Sequence, residues 1–211
     1  MKKDSSYHIM LVHGAGQALE PHEPYITSYA GFYGLKTEID NLEMATFVWA
    51  HPYQGNHFTP YSLFSQYKLY RKEKKLIFSE EVQKSLQQTL YMIKPQNIIA
   101  HSLGAYLTIN TFAAYDMPKS VKNIVLLLPD IPKSLKIPQI QGVKWINIWS
   151  WLDTYLLASA LVNQQLPIGL VGSTQNHVKN VFQPLKGVLG HKEIVYNWRY
   201  KQEMMSHLHL S

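Results

Sequence analysis

Ser102, Asp130, Asp153 and His191 are the side chains of this sequence whose types and surroundings best suit catalysis. A serine hydroxyl becomes a useful nucleophile when an adjacent base takes its proton, and a carboxylate can hold an imidazole in the orientation that base requires. Cysteine is absent. Thiolate nucleophiles and cysteine-ligated metals are therefore excluded, whereas serine and histidine mechanisms stay open. Ten histidines are present, but no His-Glu-x-x-His run or comparable ligand series accompanies them, so no metal is expected. His13-Gly14-Ala15-Gly16 lacks the lysine and hydroxyl ending of a phosphate-binding loop and misses the dinucleotide fingerprint. No nucleotide cofactor is implied.

The elements that must position these groups follow from the apolar runs. Ile9-Met10-Leu11-Val12 reads as a buried strand that ends at the glycine-bearing turn 13–16, where the backbone can change direction tightly. A helix is expected over 22–36 and a strand in Met44–Ala50. The stretch 51–70, with Pro52, Gly55 and Pro60, reads as an irregular connection before a helix capped by Ser79. Val82, Leu86, Leu90 and Ile93 recur at helical spacing and should cover a sheet. Asn97-Ile98-Ile99-Ala100 is a short strand candidate followed at once by His101-Ser102-Leu103-Gly104, and 105–115 suits a buried helix. Further strands are expected over Val121–Leu128 and Lys144–Trp149, a helix within Trp151–Val162, a last strand at 186–189 and a terminal helix from His191 through Met205. Strands that are apolar at successive positions are those covered on both faces. The pattern thus predicts an α/β fold, a mainly parallel sheet flanked by helices, with 1–211 as a single domain.

With the strand, the turn and the helix in this order, Ala100-His101-Ser102-Leu103-Gly104 resembles the nucleophile elbow of the α/β-hydrolase family. Ala100 stands where the common pattern has glycine. The resemblance implies a compact α/β-hydrolase-like fold and assigns Ser102 as nucleophile. It also implies an oxyanion role for the backbone N–H of Leu103, and for a second N–H from the early turn, assigned to Ala15. The family order of serine, acid, histidine is met by Ser102, Asp153 and His191. Asp130, which follows Val125-Leu126-Leu127-Leu128-Pro129, is the rival acid. His177 is the weaker rival base, and His101 is expected to pack or hydrogen-bond near the elbow rather than act as the base. His13 is expected to support the oxyanion turn.

The implied reaction is acyl transfer to Ser102 followed by attack of water, with a small or medium acyl ester as substrate. A thioesterase or acyltransferase, and a noncatalytic hydrolase-like scaffold, are the competing functions. Phe47, Trp49, Tyr53, Phe58 and Tyr61 are candidate apolar surface for an acyl chain, although each also suits ordinary packing. Trp145–Leu157, including Trp149, Trp151 and Tyr155, is a candidate wall or docking surface, with core packing as its default role. Net charge +6 supplies no shape of its own, so no nucleic acid is expected. The basic 68–75 run reads as a solvated connection or helix face, and is also a candidate weak contact for an acidic partner or a membrane surface. No apolar stretch reaches the roughly 20 residues of a membrane span. The start is too short and interrupted for a usual signal-peptide core, which leads us to expect a cytoplasmic protein. Oligomeric state has no signature in the sequence.

Overall fold

The computed structural model of the protein describes residues 9–15, 44–49, 60–185 and 190–194. Six strands form one sheet: β1 (Ile9–Val12), β2 (Met44–Phe47), β3 (Asn97–His101), β4 (Asn123–Leu127), β5 (Lys144–Trp149) and β6 (Val178–Phe182). Their order is β2-β1-β3-β4-β5-β6, and every neighbouring pair is parallel. The chain first builds outward from β1 to β2, then returns past β1 to lay down the other four strands. Strand order therefore reverses between β1 and β3. Ligand crevices in open parallel sheets form beyond the strand ends at such a reversal, and here the turns after Val12 and His101 flank it.

Alternate residues along each strand feed two apolar layers. Met10, Val12, Ile98, Ala100, Ile124 and Leu126 pack into one layer, and Ile9, Leu11, Ile99, Val125 and Leu127 into the other. Residues on successive strand positions are buried because both faces carry helices, as the continuous apolar runs predicted. The first layer is covered by α2 (Glu80–Ile93) through Leu86 and Leu90 and by α3 (Leu103–Ala114), with α1 (Pro60–Leu76) adding Tyr70 and Leu76. The second is covered by α4 (Thr154–Asn163), α5 (Ile168–Val171) and α6 (Gly190–Glu193), with Leu156, Leu170 and Ile194 in its core. Among the described residues no helix is long and apolar enough to cross a membrane.

Three local expectations are corrected. Much of 51–70 was expected to be irregular, yet helix α1 begins at Pro60, a position where proline's missing N–H costs nothing and its fixed φ suits a helix. Ser79 does occupy the N-cap of α2, but its side chain makes no capping bond. The sheet also has an edge strand, Val178–Phe182, that the apolar runs did not reveal, because Lys179 and Asn180 interrupt it and, with Phe182, leave most of it exposed. The helix expected over 22–36, the strand at 186–189 and the rest of the terminal helix beyond 194 lie outside the described residues.

Candidate active site

β3 ends at His101, α3 begins at Leu103, and Ser102 alone makes the turn between them. Its φ of 52° and ψ of −120° place a residue with a β-carbon where side chains rarely sit. Such a conformation persists only when surrounding contacts over-determine it. The Ser102 N–H donates to the Leu127 carbonyl at 3.0 Å, and its carbonyl accepts from Ala105 at 3.1 Å and from Asp130 at 3.3 Å. Small residues make the turn's packing feasible. A β-carbon on Gly104 would lie 2.2 Å from the His13 carbonyl oxygen, so only glycine lets α3 start this close to the end of β1. Ala100, fully buried, pairs with Val12 on one side and Leu126 on the other. Alanine in place of the usual glycine is accommodated there within the sheet.

Asp153 is the N-cap of α4: one carboxylate oxygen accepts the Leu156 N–H at 3.0 Å. Its other oxygen accepts Nδ1–H of His191 at 2.5 Å, joining the end of β5 to α6 across 38 residues of sequence. Both side chains are buried, at 8% and 0% exposure, so this charge-assisted bond is shielded from water. The imidazole also has two ring neighbours. Tyr155 stacks on it with ring centroids 5.3 Å apart, and His101 meets it at 4.7 Å. His101 Nε2 donates to the His191 carbonyl at 2.8 Å, and since a carbonyl only accepts, that nitrogen carries the proton. His191 thus rests on the residue immediately preceding Ser102. Among the described residues the Ser102 hydroxyl has no hydrogen-bond partner. The structure brings the acid and the imidazole together and sets them beside the serine turn without closing the last link.

Asp130, the rival acid, is occupied differently. The chain leaves β4 through Leu128 at φ 42°, and the Asp130 carboxylate accepts Tyr70 Oη–H at 2.6 Å and Ser159 Oγ at 2.8 and 2.9 Å. Asn163 donates to the Tyr70 and Ser159 hydroxyls, and Lys74 Nζ donates to Asn163 at 2.6 Å. This carboxylate fastens α1 to α4. Burial raises the Tyr70 pKa strongly, and the neighbouring Asp130 charge adds to the effect, so Tyr70 stays a neutral donor. The same causes in the same order raise Tyr106. For Tyr155 they are burial and the Asp153 charge.

The remaining candidates separate cleanly. His13 Nδ1–H donates to the Gly14 carbonyl at 2.7 Å, and Nε2 accepts the Trp49 N–H at 3.3 Å. Trp49 Nε1–H returns a bond to the His13 carbonyl at 2.9 Å while the two rings stack. One ring nitrogen must stay unprotonated for this arrangement, and full burial, partly opposed by the Gly14 bond, lowers the His13 pKa to about 4. His13 therefore braces the early turn, as expected of it. Ala15, half-buried against the core, lies on that turn across the β1–β3 reversal from Leu103. His177 donates to the Ile137 carbonyl at 3.1 Å, away from these groups. Phe47 and Trp49 are core residues; Tyr53, Phe58 and the Tyr61 side chain lie outside the described residues. Tyr70 was not singled out from sequence, and nothing short of its hydrogen-bond geometry marks it. Tyr155, named from sequence within the aromatic 145–157 run, stands two residues after Asp153 in the first turn of α4.

No protein-family model matches the chain, and no curated protein matches it. Solved structures similar to it include a lipase-esterase related protein from Clostridium acetobutylicum, with 12% identity, 95% of this chain and 93% of that chain covered, and a TM-score of 0.48. A protein described as a yden-like hydrolase, from Pectobacterium atrosepticum, shares 14% identity over 95% and 89% of the two chains at a TM-score of 0.45. A Thermus thermophilus protein shares 12% over 95% and 87% at 0.47. In its own right, the all-parallel sheet with a positive-φ serine turn leaving the strand beside the reversal has the architecture of an α/β-hydrolase fold.

Proposed function

We propose that the chain is a serine hydrolase that cleaves a small or medium acyl ester through an acyl-enzyme at Ser102. The observation that carries this reading is the Asp153–His191 pair, held at 2.5 Å and packed against the residue preceding a serine of strained backbone. Asp153 fixes the Nδ1–H tautomer of His191, leaving Nε2 as the base. As Ser102 Oγ bonds to the ester carbonyl carbon, its proton passes to Nε2 and the carbonyl oxygen becomes an anion. The N–H groups of Leu103 and Ala15 receive that anion, a preorganised pair aimed at charge that exists only in the tetrahedral state. His191 then returns the proton to the departing alcohol oxygen. Water repeats the sequence on the acyl-enzyme, giving the carboxylic acid and restoring Ser102. The serine–imidazole hydrogen bond forms when substrate is bound, as catalytic bonds that are loose in the free enzyme commonly do.

A fluorophosphonate probe followed by peptide mapping tests the assignment. Modification should fall on Ser102, and both it and turnover of short nitrophenyl esters should disappear in Ser102→Ala. Modification of a different serine, surviving that substitution, would overturn it. Acyl chain-length and thioester panels then fix the acyl group and leaving atom, and product analysis with added alcohols separates hydrolysis from acyl transfer.

A further inference from the structure

His191, the base of the proposed reaction, is held at two points that come from different parts of the sheet. Asp153, beyond the end of β5, accepts the Nδ1–H of the ring, and His101, the last residue of β3, donates Nε2–H to the His191 carbonyl at 2.8 Å. A single hydrogen bond at Nδ1 fixes the tautomer but on its own leaves the ring able to swing about that bond. The second bond fixes the backbone from which the ring hangs. His101 can serve as such an anchor because it is itself held: it is buried, its backbone lies opposite Leu127 of β4, and the next N–H, that of Ser102, donates to the Leu127 carbonyl at 3.0 Å.

Proton transfer gives this anchor a use beyond packing. Ser102 follows His101 directly, so the chain beside the nucleophile also carries the donor that sets the base. The clasp of Asp130 with Tyr70 and Ser159 fastens α1 to α4, whereas the His101 bond fastens α6, and with it the base, to the nucleophile's own strand. Distance and angle between nucleophile and base must be held within narrow limits, and a misplacement of about 1 Å costs on the order of 10²-fold in rate. We infer that His101 is a positioning residue of the site: through the His191 carbonyl it sets the reach of the imidazole toward Ser102, and it takes no proton itself. The hydrogen bond carries this role, not the ring contact at 4.7 Å between centroids. The role rests on Ser102 as the nucleophile and His191 as its base.

Two substitutions take the bond and the ring contact apart. His101→Phe keeps a ring beside His191 and deletes the donor; His101→Gln keeps an amide N–H within reach of the carbonyl and deletes the ring. On a short nitrophenyl ester, His101→Phe should lower kcat about 10²-fold with KM unchanged, since only the proton-transfer geometry is lost, and His101→Gln should stay within about tenfold of the native kcat. Fluorophosphonate labelling of Ser102 should slow in parallel with kcat. In nitrogen-labelled protein the His191 Nδ1–H resonance should broaden in His101→Phe and persist in His101→Gln, a change that lost stability alone does not produce in a folded chain. Circular dichroism melts establish that each variant is folded. Should His101→Phe fail to fold, His101→Asn, whose shorter amide stops short of the carbonyl, takes its place with the same expected loss. A folded His101→Phe with native kcat and an unchanged resonance, or a loss confined to His101→Gln, overturns the role. Native protein that leaves Ser102 unlabelled and the ester uncleaved would instead sink the nucleophile assignment, and the positioning role with it.

Discussion

Two buried aspartates stand at the same edge of the same sheet and are put to different uses. Asp153 follows β5 and is 1% exposed; Asp130 follows β4 and is 6% exposed. Asp153 holds an imidazole, whereas Asp130 collects the hydroxyls of Tyr70 and Ser159. Position and burial are nearly shared, so the partner decides the role. A carboxylate bonded to an imidazole can stabilise the positive charge that ring acquires during proton transfer, and one bonded to alcohols can only hold elements in place.

The largest expected effect separates the two acids by kinetics. Asp153→Asn should cut kcat on a nitrophenyl ester by about 10³–10⁴-fold, while the asparagine still accepts the Leu156 N–H and keeps α4 capped. Asp130→Asn should leave kcat within about tenfold. The reverse result would exchange the roles and break the comparison.

His13 sharpens the contrast, being a buried polar group that titrates without touching either acid. Its folded pKa of about 4 lies below the ordinary 6.5, so as pH falls the unfolded chain takes up the proton first. Stability that is fully present above pH 6.5 is therefore lost on acidification toward pH 4, in total about 3 kcal/mol. Urea unfolding across that window should show the decline, and His13→Gln should flatten it. A decline unchanged in the variant would place the acid sensitivity elsewhere.

Smaller effects belong to the clasp. Asp130→Asn should lower unfolding free energy by about 2 kcal/mol, because it weakens the carboxylate's bonds to both Tyr70 and Ser159, and Tyr70→Phe by about 1.5 kcal/mol, because it deletes only the first of them. Adding the two changes together should cost less than their sum, since they share one bond.

The legible parts of this protein were those written in local order. Ile9–Val12, Asn97–Ala100 and Lys144–Trp149 stood out because strands covered on both faces are apolar at every position. The serine turn was legible because strand, small residues and helix are contiguous there. β6 was not, since an edge strand carrying Lys179 and Asn180 resembles a polar loop. Proline at 60 was read as an interruption when it was a beginning. The choice between Asp153 and Asp130 rested on family order, and the imidazole that separates them arrives from 38 residues beyond Asp153. The clasp was illegible altogether: Tyr70 and Asp130 meet across 60 residues with no shared motif.

The backbone at position 102 has a further consequence. Any residue with a β-carbon there bears a strain of about 1–3 kcal/mol, which glycine would escape. Ser102→Gly should accordingly be inert and yet melt a few degrees higher than the native chain, whereas Ser102→Ala, inert as well, should gain little. Reactivity at this turn would then be retained against a sturdier alternative, and the thermal midpoints of these two dead proteins would measure how far the fold is kept below the robustness open to it.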